Sequence, residues 1–155
     1  MKIKGIIDYD IVNYKLPCLT IEMPFCSFKC DKECGRPVCQ NSGLAQEPNI
    51  TISAKKIIDS YYNPPAAALC FQGLEPFDSF ADLLECIEYF RMFYSDPIVI
   101  YTGYNKKEIT DYLTKLKNFD KIIVKYGRYI YGDKPHFDEV LGVALSSSNQ
   151  YAEEL

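Results

Sequence analysis

The sequence has no block of basic residues. Its formal net charge is −4 and its pI is near 5.0. A protein that binds nucleic acid usually neutralises phosphates with clustered Lys and Arg, and no such cluster is present here. We therefore expect no nucleic-acid partner.

Long apolar segments are also missing. The longest apolar runs, such as Ala66–Phe71, are far shorter than the roughly 20 residues that a bilayer-spanning helix needs. The opening residues, MKIKGIIDYD, include acidic residues by position 8 and contain no apolar signal core. These features predict a cytoplasmic protein without a membrane partner.

A C-x-x-C pair is absent, which argues against a thioredoxin-like site. The only histidine, His136, sits in a polar loop, where we expect it to be solvated. Seven cysteines in a cytoplasmic chain are not expected to form a disulfide framework. Three of them, Cys18, Cys70 and Cys86, fall in apolar or amphipathic segments and are expected to be small core residues.

The pattern of the remaining chain indicates a parallel sheet with crossover helices. At 155 residues the chain predicts one domain, residues 1–155. A unit of strand, loop and helix repeats about every thirty residues, which is typical of α/β proteins. A closed barrel of eight such units typically needs about 250 residues. The predicted fold class is therefore α/β, with the parallel sheet forming an open half-barrel of repeated strand–helix units.

The predicted strands are Lys2–Ile7, Leu16–Met23, Ala66–Phe71, Pro97–Tyr101, Lys121–Lys125 and a β-like segment at Glu139–Leu145. The predicted helices run over Ala54–Tyr62, which Asn63-Pro64-Pro65 would end, from Asp78 or Ser79 through Phe93, and from Asn105 to about Leu116. The residues after Leu145 are predicted to form an irregular polar tail.

Ligands of open α/β sheets bind at the carboxyl ends of the strands. Three loops come after successive predicted strands at that edge: a cysteine-rich loop, then Gly73-Leu74-Glu75-Pro76, then Thr102-Gly103-Tyr104. We expect these loops to converge on one site.

Four cysteines crowd the first of these loops: Cys26, Cys30, Cys34 and Cys39, separated by three, three and four residues. A polar loop offers little apolar surface to bury, so thiols at this density indicate sulfur chemistry. Structural zinc sites usually pair their ligands as two separated knuckles, although one short loop can wrap a zinc ion. Thiolates at such spacing are the usual ligands of iron–sulfur clusters, which is the interpretation that we favour.

The loop resembles the cluster loop of radical S-adenosylmethionine (SAM) enzymes. Cys26-Ser-Phe-Lys-Cys30, followed by Cys39-Gln-Asn-Ser42, is similar to the C-x3-C-x2-C loop of the proteins that activate anaerobic ribonucleotide reductase. Further similarities occur in the same order along the chain: Asp10–Asn13, Gly73–Pro76, Ile100–Tyr104, Val124–Ile130 and Ser148–Gln150.

The resemblance implies a [4Fe–4S] cluster held by three thiolates, with SAM on the fourth iron. The family has two residues between its second and third cysteines, whereas this loop has eight between Cys30 and Cys39 and three between Cys30 and Cys34. We favour Cys26, Cys30 and Cys39 as the ligands, because Gln40-Asn41-Ser42 matches the residues after the family's last cysteine. Cys34 is the alternative third ligand. If all four thiols bound the cluster, no iron would be open for SAM.

The same resemblance implies the residues that bind SAM. Gly73, Leu74 and Glu75 correspond to the family's Gly-Gly-Glu-Pro loop, in which we expect the Glu75 carboxylate to accept from the SAM ammonium. Asn41 is expected on the adenine side, or as the cap of the next helix. Thr102 is expected to line the SAM pocket, or to be a turn residue.

The implied activity is that of a radical SAM activase, which forms a glycyl radical on the large subunit of anaerobic ribonucleotide reductase. A flavodoxin-type or ferredoxin-type protein would donate the electron. The alternatives are another minimal radical SAM enzyme, or a zinc or iron–sulfur module that binds a partner or carries electrons without SAM.

Overall fold

The computed structural model describes residues 1–62 and 65–155. The strands are β1 (Lys2–Ile3), β2 (Gly5–Asp10), β3 (Cys18–Met23), β4 (Ile50–Thr51), β5 (Ala68–Gly73), β6 (Ile98–Tyr101), β7 (Ile122–Tyr126), β8 (His136–Asp138), β9 (Val143–Leu145) and β10 (Tyr151–Glu154). The helices are α1 (Lys29–Cys34), α2 (Ser42–Gln46), α3 (Ala54–Asp59), α4 (Phe80–Arg91) and α5 (Thr110–Leu116). Single 3-10 turns at Pro76–Ser79 and Lys106–Ile109 lead into α4 and α5.

The central sheet has six strands in the order β10-β7-β6-β5-β3-β2. Its four inner strands, β3, β5, β6 and β7, are parallel, whereas β2 and β10 are antiparallel edges. The protein is thus mixed α/β with a largely parallel central sheet. Within the described residues the sheet does not close into a barrel, and the half-barrel curvature stays a prediction.

The two faces of the sheet are covered differently. Side chains of α3, α4 and α5 pack on one face, where Ile57, Ile87 and Leu113 join the large apolar core. The opposite face carries the smaller Cys18, Cys70, Val99 and Ile123, over which Tyr14, Leu141 and Leu145 pack. Because neighbouring residues of a strand point to opposite faces, continuous apolar strands such as β5 fit a sheet that is covered on both sides.

The predicted inner strands are confirmed, each shifted by one or two residues. The N-terminal strand divides at Lys4 into β1 and β2. The prediction of an irregular polar tail was wrong, since Tyr151–Glu154 forms the edge strand β10 beside β7. The helix predicted to run through Phe93 ends at Arg91, and Phe93 is 60% exposed. Helix α3 ends at Asp59, earlier than the predicted Tyr62, and the predicted stop signal at Asn63 and Pro64 lies outside the described residues.

Cys18, Cys70 and Cys86 are fully buried, as expected of core residues. In the part of the chain that the structure covers, no helix combines the length and the apolar character needed to cross a bilayer.

Candidate functional site

A cavity of about 380 Å³ lies where the loops after β3, β5 and β6 meet. The predicted convergence of these loops is therefore confirmed. The predicted site residues that line this cavity are Cys26, Cys30, Cys39, Asn41, Gly73, Leu74, Glu75 and Thr102. Cys34, in contrast, does not line the cavity and is exposed.

A tight turn after β3 brings the first two thiols together. Phe28 adopts a left-handed conformation with φ of 52°, which is uncommon for a residue with a side chain. Its backbone N–H donates to the Cys26 sulfur at 3.2 Å. Helix α1 starts at the next residue and carries Cys30 in its first turn. Cys26 and Cys30 both line the cavity.

A second turn returns the chain to this cavity. Gly35 follows the last residue of α1, and its φ of 71° suits a residue without a side chain. The Asp31 carboxylate then accepts from the backbone N–H groups of Val38 and Cys39, each at 2.8 Å. These two hydrogen bonds join the first turn of α1 to Cys39, whereas Cys34 lies at the other end of the helix.

The three cavity thiols share one electrostatic environment. Burial raises the pKa of Cys26 to about 12 and also raises the pKa values of Cys30 and Cys39. The charge of the Cys39 thiolate further raises the pKa of Cys26, and that of Cys30 further raises the pKa of Cys39. Because a thiol has to lose its proton to bind a metal, these thiols need the positive charge of the metal to become thiolates.

This donor set fits an iron–sulfur cluster. In residues 1–62 and 65–155, no three Cys, His, Asp or Glu side chains are close enough together to hold a single metal ion. Cluster thiolates each bind a different iron, so their sulfurs surround the cluster and do not meet at one point. Cys26, Cys30 and Cys39 line one cavity, and thiolates are the usual ligands of such clusters.

The Glu75 side chain is held by the neighbouring loop. It is only 6% exposed. Its Oε1 accepts from the Thr102 hydroxyl at 2.7 Å and from the Phe77 N–H at 3.1 Å, while its Oε2 accepts from the Gly103 N–H at 2.9 Å. Burial raises the pKa of Glu75 to about 7, although these three hydrogen bonds lower it. Since two carboxylate oxygens offer about four acceptor positions, one remains, on Oε2.

Asp78 connects the cysteine loop to the loop after β6. Sequence reasoning assigned it to the cap of α4. In the structure its Oδ2 accepts from the Ser27 N–H at 2.7 Å, and its Oδ1 accepts from the Tyr104 hydroxyl at 2.5 Å. Thr102 in turn accepts from the Tyr104 N–H at 2.9 Å. Asp78 and Tyr104 therefore fix the residue next to Cys26.

Asn41 joins the end of the cysteine loop to the loop after β5. It precedes α2, but its side chain makes no capping hydrogen bond to that helix. Its Nδ2 donates to the Gly73 carbonyl oxygen instead. Gly73 has a φ of +86°, and a Cβ atom there would lie 2.9 Å from Leu44 Cδ2 and 3.3 Å from the Glu22 Cα. This close approach requires glycine.

Arg128 anchors α1 beside the cavity and was not predicted as a functional residue. Its side chain is 8% exposed and makes two hydrogen bonds to Glu108, at 2.6 and 2.8 Å. Its Nε lies 3.1 Å from Glu33 Oε1 on α1. Lys29, also on α1, pairs with Glu108 at 3.3 Å. These ion pairs thus connect the helix that carries Cys30 to the loops after β6 and β7.

Sequence reasoning also missed the part of the cavity that β7 and the C-terminal segments supply. Lys125, Tyr129, Ser146 and Gln150 line it. For Lys125 a signal was present, because a lysine interrupts an otherwise apolar strand that was predicted to be buried.

A comparison with protein-family models finds one whose description is a 4Fe-4S single cluster domain, and it matches residues 19–150. Comparisons with curated proteins and with solved structures give no match.

Proposed function

The chain belongs to the 4Fe-4S single cluster domain family, and from this membership we propose that it is a radical SAM enzyme. The family match indicates a domain that binds a 4Fe-4S cluster. The use of SAM is our proposal. One observation carries it: a single cavity is lined by three thiols and by all five residues that the radical SAM resemblance assigns to SAM.

We assign the cluster ligands to Cys26, Cys30 and Cys39. These thiols line the cavity, whereas Cys34 is exposed at the end of α1. Three protein ligands leave one iron of a four-iron cluster open, which parallels catalytic metal sites that keep one position for substrate. Asp31 supports this assignment, because its hydrogen bonds hold Cys39 near the start of the helix that carries Cys30.

The rest of the cavity suits a nucleoside ligand that carries an amino acid. Ligand cavities usually measure about 300–1,000 Å³, and this cavity measures about 380 Å³ with the space beside the three thiols included. The free acceptor position on Glu75 Oε2 and the backbone of Gly73 and Leu74 would bind the amino group of SAM. The chemistry that the bound cluster supplies is transfer of one electron to SAM, which yields methionine and a 5′-deoxyadenosyl radical.

We further propose that the substrate is another protein. The resemblance points to the large subunit of anaerobic ribonucleotide reductase, from which the radical would remove a hydrogen atom at one glycine. This gives 5′-deoxyadenosine and a glycyl radical. The electron would come from a flavodoxin-type or ferredoxin-type donor.

The test is anaerobic reconstitution with iron and sulfide, followed by EPR spectroscopy of the dithionite-reduced protein with and without SAM. We expect a [4Fe–4S]⁺ signal that changes when SAM is added. A cluster that ignores SAM would contradict the radical SAM proposal and leave an electron-transfer module.

The activase part needs a separate experiment. The reconstituted protein, SAM and a reductant are mixed with the large reductase subunit, and EPR then looks for the glycyl radical. Cleavage of SAM without that radical would contradict the choice of substrate and leave another minimal radical SAM enzyme.

A further inference from the structure

Lys125 places a buried positive charge inside the cavity. It lies near the end of β7, on the sheet face opposite the helices, and its residue is only 7% exposed. Its register partner on β6 is Tyr101, which also lines the cavity. An ammonium at this depth is costly unless hydrogen bonds and an opposite charge compensate for its lost hydration.

The protein supplies only part of that compensation. The ammonium has three donor positions. Within residues 1–62 and 65–155, its one hydrogen-bond acceptor is the Gly127 carbonyl oxygen at 3.1 Å. That oxygen also accepts from Gln150 Nε2 at 3.2 Å. Lys125 therefore keeps donor positions for a group inside the cavity.

An anionic partner for Lys125 is missing from the described part of the chain, where none of the ion pairs includes this residue. Burial lowers the pKa of Lys125 to about 8, while Glu75 and Cys30 raise it. Glu75 directs three of its acceptor positions to its own neighbours. The centroid of the Tyr101 ring lies 5.8 Å from the ammonium but the ring carries no formal charge, so an anion bound in the cavity would complete the compensation.

We infer that Lys125 binds the carboxylate of the amino-acid part of the cavity ligand. This inference rests on the proposed function, which makes that ligand SAM. A carboxylate supplies both the negative charge and the acceptor oxygens that the ammonium lacks. In this arrangement Glu75 and the Gly73 loop bind the amino group, and Lys125 binds the carboxylate. The cavity therefore recognises both charged groups on the α-carbon of the amino acid.

The test compares two ligands in two proteins. Reconstituted protein without reductant, which cannot cleave SAM, is examined by equilibrium dialysis with SAM and with decarboxylated SAM. Lys125→Met should weaken SAM binding about 30-fold or more, as expected when one partner of a buried charge pair is removed. The same change should affect decarboxylated SAM far less, because that ligand has no carboxylate to lose.

Lys106→Met is the matched control, since Lys106 is a surface lysine that pairs with Glu153 outside the cavity. It should bind both ligands as the unaltered protein does. Without ligand, Lys125→Met should not lower the midpoint of thermal unfolding, because the substitution removes an unpaired buried charge. A lysine with a purely structural role would give the opposite result.

Two outcomes would overturn the inference while the proposed function stands: SAM binding that is unchanged in Lys125→Met, or an equal loss for both ligands. Failure of the unaltered protein to bind SAM at all would overturn the proposed function, and the inference with it.

Discussion

The Thr102 hydroxyl donates a 2.7 Å hydrogen bond to Glu75 Oε1, and both side chains are buried. This bond joins the loop after β5 to the loop after β6. The sequence suggested two separate contributions to a SAM pocket, whereas the structure couples them, because the position of the Glu75 carboxylate depends on Thr102 and Gly103. A substitution at either loop should therefore affect the other.

The raised pKa of Glu75 predicts a pH-dependent stability in the cluster-free protein. Between its ordinary pKa of 4.5 and its folded value of about 7, the unfolded chain ionises more readily than the folded one. Glu75 then makes the free energy of unfolding fall as pH rises, by at most about 1.4 kcal/mol per pH unit. Glu75→Gln should remove this contribution, so the stability of the variant relative to the unaltered protein should rise with pH over this range.

Urea unfolding at several pH values measures that difference. Glu88→Gln, on the exposed side of α4, is the control and should give a difference that does not vary in this way. A flat difference for Glu75→Gln would mean that Glu75 titrates normally.

The choice of third ligand is tested by Cys39→Ser and Cys34→Ser. Of these two residues, Cys39 lines the cavity and Cys34 does not. Cys39→Ser should therefore lose the cluster on reconstitution, while Cys34→Ser should retain it. Iron and sulfide analysis together with the EPR signal gives the result. Retention by Cys39→Ser and loss by Cys34→Ser would reverse the assignment, and loss by both would indicate four thiolate ligands.

Gly73→Ala should destabilise the protein by about 1–3 kcal/mol. The positive φ at this position is unfavourable for alanine, and the new Cβ atom would lie close to the Glu22 backbone. Gly103→Ala is the matched control. Its Cβ would have ordinary contacts, at 3.6 Å from Glu75 Oε2 and 3.7 Å from the Cys30 sulfur. Chemical denaturation compares the two, and equal losses of stability would contradict the prediction.

Arg128→Met should loosen the helix that carries Cys30. The substitution removes the hydrogen bonds to Glu108 and the ion pair with Glu33, at a cost of about 2 kcal/mol. Hydrogen exchange should rise most in residues 29–39. Arg36→Met is the control, because Arg36 is exposed and the substitution removes its contact with the Tyr131 ring. Unchanged exchange in this segment would show that α1 does not depend on Arg128.

The sequence predicted the inner strands and the convergence of three loops, since continuous apolar runs separated by amphipathic helices leave few arrangements. It failed at β10, where only Ala152 of the four residues is buried and the others look like a solvated tail. It also left the third ligand open. That choice depends on the left-handed conformation of Phe28 and on the Asp31 carboxylate, which accepts from the backbone at Val38. Neither feature produces a periodic pattern in the sequence.

Gln150 forms part of the cavity lining, and this placement has a consequence for folding. Gln150 hydrogen-bonds the Gly127 carbonyl oxygen next to Lys125, and the next strand, β10, pairs with β7. The cysteine loop precedes β5 in the sequence, but the cavity around it also needs Gln150, which comes after β9. A chain in which the segment through Gln150 has not yet folded lacks this enclosure around Cys26, Cys30 and Cys39. The three thiols are therefore expected to become enclosed only when the segment through Gln150 has folded, so a cluster inserted earlier would lack this part of its surroundings.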